Sequence, residues 1–313
     1  MNHSVEEVSG QDNSLSWSRT VDREMVHRAS VAEVLLTDVR ADRYGGFEAA
    51  ASWPRSHPTF PRDGVDLHSP LVLVETLRQL GIYLPLRYFG VPPTSHLLIG
   101  DLHFGLIAGR EPRAGQGCTE VTCRVTVSEI HRGPDGSASG LRLDVKYLAG
   151  GAIFARAGGG ARFLSARDYA GVRAELLVAR QPPPTAEGRP DPAELAVAEP
   201  RDVLIARTAG ALAVDPADPH HPFFFDHATD HVPGMVLLEA ARQAAAEASD
   251  GALMRPTAGR LVARRFTEFA PPARVESVPY HLTCAFRIRQ GTKCTAYGAL
   301  EYGRHAPFLY VLA

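Results

Sequence analysis

Val121, Cys123, Val125 and Val127 alternate with Thr122, Arg124, Thr126 and Ser128. A period of two is the mark of a strand with one face of its sheet buried. The alternation returns at Leu141, Leu143, Val145 and Tyr147, and again at Leu282, Cys284, Phe286 and Ile288. Turn-forming segments, "RGPDGSASG" in the first half and "RQGTK" in the second, predict that each run is joined to a neighbouring strand. Cys123 and Cys284 then hold corresponding places on inward faces and read as small core hydrophobes.

Two stretches have no alternation and read as helices that are apolar nearly all round. They begin at "SPLVLVETLRQ" (Ser69) and "PGMVLLEAARQ" (Pro233), and they belong to an internal repeat. "HPTF" from His57 matches "HPFF" from His221, and "DLHSPLVLVETLRQ" from Asp66 matches "DHVPGMVLLEAARQ" from Asp230, at one offset of 164 without a gap. A Pro-rich stretch without apolar period, "RQPPPTAEGRPDPAEL", separates the copies and reads as a semi-rigid linker. The predicted organisation is an N-terminal tail (1–20), a first unit (21–178), a linker (179–196) and a second unit (197–313). A helix can be hydrophobic all round only if a sheet wraps it. One such helix followed by long antiparallel strands predicts an α+β hotdog fold, and two copies in tandem predict a double hotdog with edge-to-edge sheets.

Each apolar helix carries three residues that do not belong in a core. Glu239, Arg242 and Gln243 share one face, and Glu75, Arg78 and Gln79 repeat them. Burying a carboxylate costs several kcal/mol unless it is paired, so the trios are either packing pairs or chemistry. The second helix opens at Pro233-Gly234, where free N–H groups and the positive end of the helix dipole could polarise a carbonyl oxygen, with Gly234 and Met235 nearest. Ser69 is the predicted N-cap of the first helix. His57 and His221 precede proline in both copies and read as loop or core histidines. "FFFDHATDH" occurs only in the second half, so His227 and His231 are the better active-site candidates.

The charge balance narrows the class. A net charge of −2 argues against a nucleic-acid partner, and no apolar run reaches membrane-spanning length. Together with a polar start, this predicts a cytoplasmic protein. Of the 33 basic residues only Lys146 and Lys293 are lysine, so a lone arginine is weak evidence for a phosphate site. The four cysteines form no CxxC pair, and the histidines lack the partners that complete a recognisable metal-ligand spacing. Neither a metal nor a cofactor is expected.

The segment "FFDHATDHVPGMVLLEAARQAA" resembles the signature of the A-factor biosynthesis (AfsA) family of γ-butyrolactone autoregulator synthases. So do "VHRASVAEVLLTDVRADRYGGFEAAASWPRSHPTF" and "DLHSPLVLVETLRQLGI", and the likeness spans roughly residues 24 to 284. It implies transfer of a β-ketoacyl group from acyl carrier protein to the hydroxyl of dihydroxyacetone phosphate, on the way to butyrolactone, butenolide or furan signals. It marks Glu75, Glu239 and Arg242 as functional, with Arg78 as repeat counterpart. The helix also resembles that of the hotdog dehydratases, but their "GHFPG" segment is absent. On this basis the thioester carbonyl is expected at the Gly234 and Met235 amides. Glu239 is expected to be the base and Arg242 to orient it or bind phosphate, with Arg78, Gln79 and Gln243 as further substrate contacts. A thioester hydrolase and a non-catalytic acyl-binding regulator stay open as alternatives, as does homo-oligomerisation.

Overall fold

The computed structural model describes residues 14–59, 66–174 and 186–303. The first unit consists of β1 (Leu36–Ala41), β2 (Phe47–Pro54), α1 (Pro70–Tyr88), β3 (His96–Leu106), β4 (Cys118–Arg132), β5 (Ala138–Ala149), β6 (Ala152–Leu164) and the short α2 (Ala166–Ala174). The second repeats the pattern with β7 (Ile205–Thr208), β8 (Ala211–Val214), α3 (Gly234–Ala248), β9 (Ala258–Ala263), β10 (Arg274–Tyr280), β11 (Thr283–Gln290) and β12 (Lys293–Glu301). All twelve strands form one antiparallel sheet in the order β1-β2-β4-β5-β6-β3-β9-β12-β11-β10-β8-β7. That order is a palindrome of two six-stranded halves. They join where β3 pairs with β9, Asp101 opposite Val262 and Gly105 opposite Ala258. The molecule is a double hotdog, and pairing β3 with β9 gives each half's inner edge a partner.

Each helix is held by what its sequence puts inside. Val72, Leu73, Val74 and Leu80 of α1 and Val236, Leu237, Ala240 and Ala244 of α3 are all buried in one core. Polar groups lock α1 to the sheet at two points: Trp53 Nε1 donates to Thr76 Oγ1 at 2.9 Å, and Tyr147 Oη donates to the Leu73 carbonyl at 3.3 Å. In β6 the run Gly158-Gly159-Gly160 is required by close approach, since a Cβ on Gly159 would run into the Asp101 carbonyl oxygen of β3.

The strand correspondence read from alternation needs correcting by one strand. By position in the sheet, β4 corresponds to β10 and β5 to β11. Cys123 lies on β4 and Cys284 on β11, so the two are buried but not equivalent. β10, "RVESVPY", escaped notice because its exposed Val278 and Tyr280 break the apolar alternation. Leu282, expected to face inward, is 58% exposed at the turn into β11. Residues 179–185 of the predicted linker lie outside the described residues, as do 1–13 of the predicted tail. The remainder of each is docked. Glu187 N donates to the Arg207 carbonyl at 2.8 Å, Leu195 is fully buried, and Ser16 N donates to Asp38 at 3.2 Å. Among the described residues no helix is long and apolar enough to cross a membrane.

Candidate functional site

Both predicted trios are buried except for Arg78, which is half-buried, and their glutamines do the same work. Gln79 accepts from Leu35 N at 2.9 Å and donates to the Glu33 carbonyl at 2.8 Å and to Glu75 at 2.7 Å. Gln243 accepts from Leu204 N at 2.8 Å and donates to the Asp202 carbonyl at 2.8 Å and to Glu239 at 3.1 Å. Both amides, expected to meet substrate, are engaged with protein and pin the chain entering the first strand of each half. His57 and His221 brace the same chain, with Nε2 against Glu33 at 3.0 Å and against Asp202 at 2.8 Å, so they are core histidines as read.

The arginines differ. Arg242 meets Glu239 through Nε at 2.8 Å and Nη2 at 2.6 Å, and its Nη1 donates to the Met254 carbonyl at 2.9 Å. All three nitrogens are engaged, and Glu239 is 1% exposed. Arg78 meets Glu75 through Nε and Nη2, both at 2.8 Å, and Nη2 also donates to the Val26 carbonyl at 3.2 Å. Its Nη1 has no hydrogen-bond partner among the described residues. Glu75 has a second cation: Arg28 lies at 2.8 Å from Oε1, while Arg28 Nη1 reaches the Phe223 carbonyl at 2.8 Å and Asp226 at 3.1 Å. Burial alone would push the Glu75 carboxyl up, but Arg28 and Arg78 outweigh it and hold it at about 2. The carboxylate is thus clamped between the Arg28 and Arg78 guanidiniums.

The two helix starts also differ. Ser69 caps α1 as predicted, accepting from Leu71 N at 3.3 Å, and Pro70 has no N–H to offer. Arg255 closes this end further by donating to the His68 carbonyl at 3.0 Å. At α3 the N-cap is Pro233, and no side chain caps the helix. The N–H groups of Gly234, Met235 and Val236 therefore have no intrahelical partner.

The uncapped start of α3 and the unengaged edge of Arg78 border one cleft. Val74, Leu77, Arg78 and Gly81 of α1 line it together with Leu97 and Ile99 of β3, Leu141 and Leu143 of β5, Gly159 and Gly160 of β6, and Met235 of α3. Gly234 faces Ile99 in this wall, 3.5 Å from where a Cβ would stand. The free volume is about 50 Å³, narrow and apolar, with Arg78 and Asp101 as its charged members. It runs along the first helix, whereas the sequence pointed to the second. Glu239 does not line it.

The segment found only in the second half lies over this first-half site. Asp226, already bonded to Arg28, accepts from Ala29 N at 3.0 Å and meets His227 Nδ1 at 2.7 Å. Asp230 meets His231 Nδ1 at 2.7 Å and accepts from Tyr169 at 2.6 Å and Arg173 at 3.0 Å. Each dyad holds its imidazole by Nδ1, and the His227 side chain is 44% exposed against 26% for His231. His27 sits among Arg78, His227 and His96. Burial first, and then these neighbouring charges, depress its imidazole to about 4. Tyr169 stacks on His96 with ring centroids 3.7 Å apart, and His231 packs edge-on against Phe266 at 4.8 Å. Arg28, His27, His96 and Tyr169 were missed by pattern reading. The only signal for Arg28 was its place in the "VHRASVAEV" stretch, and the abundance of arginine masked it. Among the described residues no three His, Cys, Asp or Glu side chains converge as a metal ion would require.

Two wrapped helices in one continuous sheet define a tandem hotdog protein, with a narrow apolar cleft lined from both helices. The family model described as the A-factor biosynthesis hotdog domain matches residues 10–165 and 198–289, and the chain belongs to that family. It is 35% identical over 269 residues to a 2-oxo-3-(phosphooxy)propyl 3-oxoalkanoate synthase of Streptomyces virginiae, covering 83% of this chain and 87% of the relative. It is 31% identical over 285 residues to a protein of the same name from Streptomyces griseus subsp. griseus, covering 88% and 87%. Among solved structures, an acyl-ACP thioesterase from Bacteroides thetaiotaomicron superposes with a TM-score of 0.50 at 10% identity, covering 82% of this chain and 98% of that one, a likeness of fold alone.

Proposed function

We propose that the protein is an acyltransferase that moves a 3-oxoacyl group from an acyl carrier protein thioester to the free hydroxyl of dihydroxyacetone phosphate. The relatives' product name describes that ester: a 3-oxoalkanoate carried on a 2-oxo-3-phosphooxypropyl group. The observation that carries the placement of the reaction is the single cleft shared by the uncapped start of α3 and the free edge of Arg78. The acyl chain lies along Val74, Leu77 and Gly81 with its thioester carbonyl at the Gly234 and Met235 amides. These donors stabilise the oxyanion as it forms, in a water-poor site where such stabilisation is strongest. Arg78 receives the acceptor's phosphate on the guanidinium edge that Glu75 and Arg28 leave exposed.

His227 is the general base. Asp226 fixes its Nδ1 and leaves Nε2 available to the acceptor hydroxyl. As that oxygen attacks the thioester carbon, its proton passes to Nε2. Collapse of the intermediate breaks the C–S bond, and the proton returns to the departing thiolate. His231, held by Asp230, Tyr169 and Phe266, positions the loop beside it. Glu239, expected as the base, and Arg242, expected to orient it or bind phosphate, are assigned instead to a buried packing pair. A cytoplasmic location, where carrier-bound acyl thioesters are made, goes with this reading.

The test is to incubate the protein with a 3-oxoacyl carrier protein with and without dihydroxyacetone phosphate and to identify products by mass spectrometry. Formation of the phosphorylated ester only when acceptor is present is expected, with a loss of about 10²–10⁴-fold in His227→Ala. Release of free acid at the same rate without acceptor would make the protein a hydrolase. Tight acyl binding with no turnover would make it a regulatory module.

A further inference from the structure

The outer face of the second half is basic out of proportion to the chain. Between Ala258 and Glu301 lie seven basic and three acidic side chains, in a protein whose net charge is −2. Arg264, Arg265 and Lys293, with Cys294 and Tyr297, ring an open depression of about 400 Å³ where β9 ends and β12 begins. Backbone bonds fix its floor, with Arg264 N donating to the Thr295 carbonyl at 2.8 Å and Arg265 N to the same oxygen at 3.2 Å. Arg264 lies over the Tyr297 ring at 5.6 Å. All three cations are exposed, and none has a carboxylate partner among the described residues. The arginines at the cleft, by contrast, are all paired with carboxylates. The depression is also tied to the loop that carries the two histidines: the residue after Arg265 is Phe266, whose ring packs on His231 at 4.8 Å and lies under Arg173 at 4.9 Å.

We infer that this depression is the docking surface for the acidic face of the carrier protein that delivers the acyl thioester. The inference rests on the transfer reading above and specifies its partner surface. Unpaired exposed cations attract an acidic helix without first breaking ion pairs of their own, and they steer encounter more than they tighten the final complex. The short path through Phe266 to His231 places a carrier seated here beside the loop that holds His231 and His227. The pocket between the stems of Arg264, Arg265 and Tyr297 gives an apolar side chain of the partner somewhere to sit.

The test compares wild type with Arg264→Glu/Arg265→Glu/Lys293→Glu in the full chain, with two donors bearing the same 3-oxoacyl group. One donor is the acyl carrier protein and the other is N-acetylcysteamine. KM for the carrier-bound donor is expected to rise ~10-fold or more, and its salt dependence to flatten, while kcat/KM for the small thioester and the thermal midpoint stay unchanged. An equal loss with both donors, no loss with either, or a rise confined to the KM of dihydroxyacetone phosphate would overturn the proposal, the last by making the cations a phosphate site. Binding of the carrier protein is measured separately, without turnover. A wild type that binds it through these cations yet transfers nothing would remove the transfer reading and leave the docking surface standing. A wild type that transfers normally while the variant binds equally well would do the reverse.

Discussion

The two helices carry the same trio at the same spacing, yet one is built open and the other closed. Around α1, Glu75 is shared by two arginines, so Arg78 can be held by two of its nitrogens and leave the third at the cleft. Around α3, Glu239 has Arg242, and the Met254 carbonyl engages Arg242's remaining nitrogen. The helix starts are exchanged in the same sense: α1 is capped by Ser69, while α3 begins uncapped at Pro233. A pseudo-twofold double hotdog brings the start of one helix toward the trio of the other. One of the two composite sites therefore unites both open parts, and the other unites both closed ones. On the proposed reading, duplication kept the packing logic twice and the exposed chemistry once.

The largest effect expected from this comparison is on stability. Removing one partner of the closed pair, by Arg242→Ala or Glu239→Ala, leaves a buried charge and should cost about 3–5 kcal/mol in denaturant unfolding. Turnover per folded molecule should stay within a few-fold. A collapse of turnover in protein that is still folded would show that the second trio is chemical after all. Next is Arg78→Ala. Arg28 still neutralises Glu75, so folding should suffer less, while kcat/KM falls about 10²–10³-fold, chiefly through the phosphorylated acceptor. A smaller effect sharpens the geometry. Gly81 faces the cleft with Leu143 Cδ1 3.9 Å from an added Cβ, so Gly81→Val fits the helix and fills the chain's path. Losing burial of two to three methylenes is worth about 2 kcal/mol, or ~30-fold against long-chain relative to short-chain donors.

The smallest expected effect is in acid stability. His27 is depressed to about 4 in the folded protein, by burial and then by Arg78, His227 and His96. Its stabilising contribution is complete above the ordinary imidazole range and is lost as pH falls through about 4. Glu75, held at about 2, contributes above the ordinary carboxylate range and loses that contribution as pH falls toward 2. His68 is likewise depressed to about 4, by burial and then by Arg255. Thermal midpoints measured downward from neutrality should therefore decline in two overlapping steps, and His27→Gln should shrink the upper one without abolishing it.

Much of this was legible in the chain, because burial writes itself into period and repetition. The apolar helices, the ungapped repeat, the Ser69 cap and the double hotdog all follow from where apolar residues recur. The polar trios stood out because charged residues are rare in such helices. What stayed hidden depends on contacts across the repeat. Nothing in the spacing of Glu75 and Glu239 says that Arg28 joins one of them and that the Met254 carbonyl engages the arginine of the other. The second-half loop "FFFDHATDH" was read with its own helix, but Arg28 binds its Phe223 carbonyl and Asp226 and holds it over the other one. β10 was skipped because its exposed face carries Val278 and Tyr280, which erase the alternation that revealed its neighbours.

The most direct measurement is a crystal structure of the protein with a non-cleavable 3-oxoacyl thioether analogue of the donor. The open site predicts the chain between α1 and β3, passing Gly81, with its carbonyl oxygen about 3 Å from the Gly234 or Met235 nitrogen. Density for the acyl group beside Glu239 and Arg242, with the Arg78 cleft empty, would contradict the account.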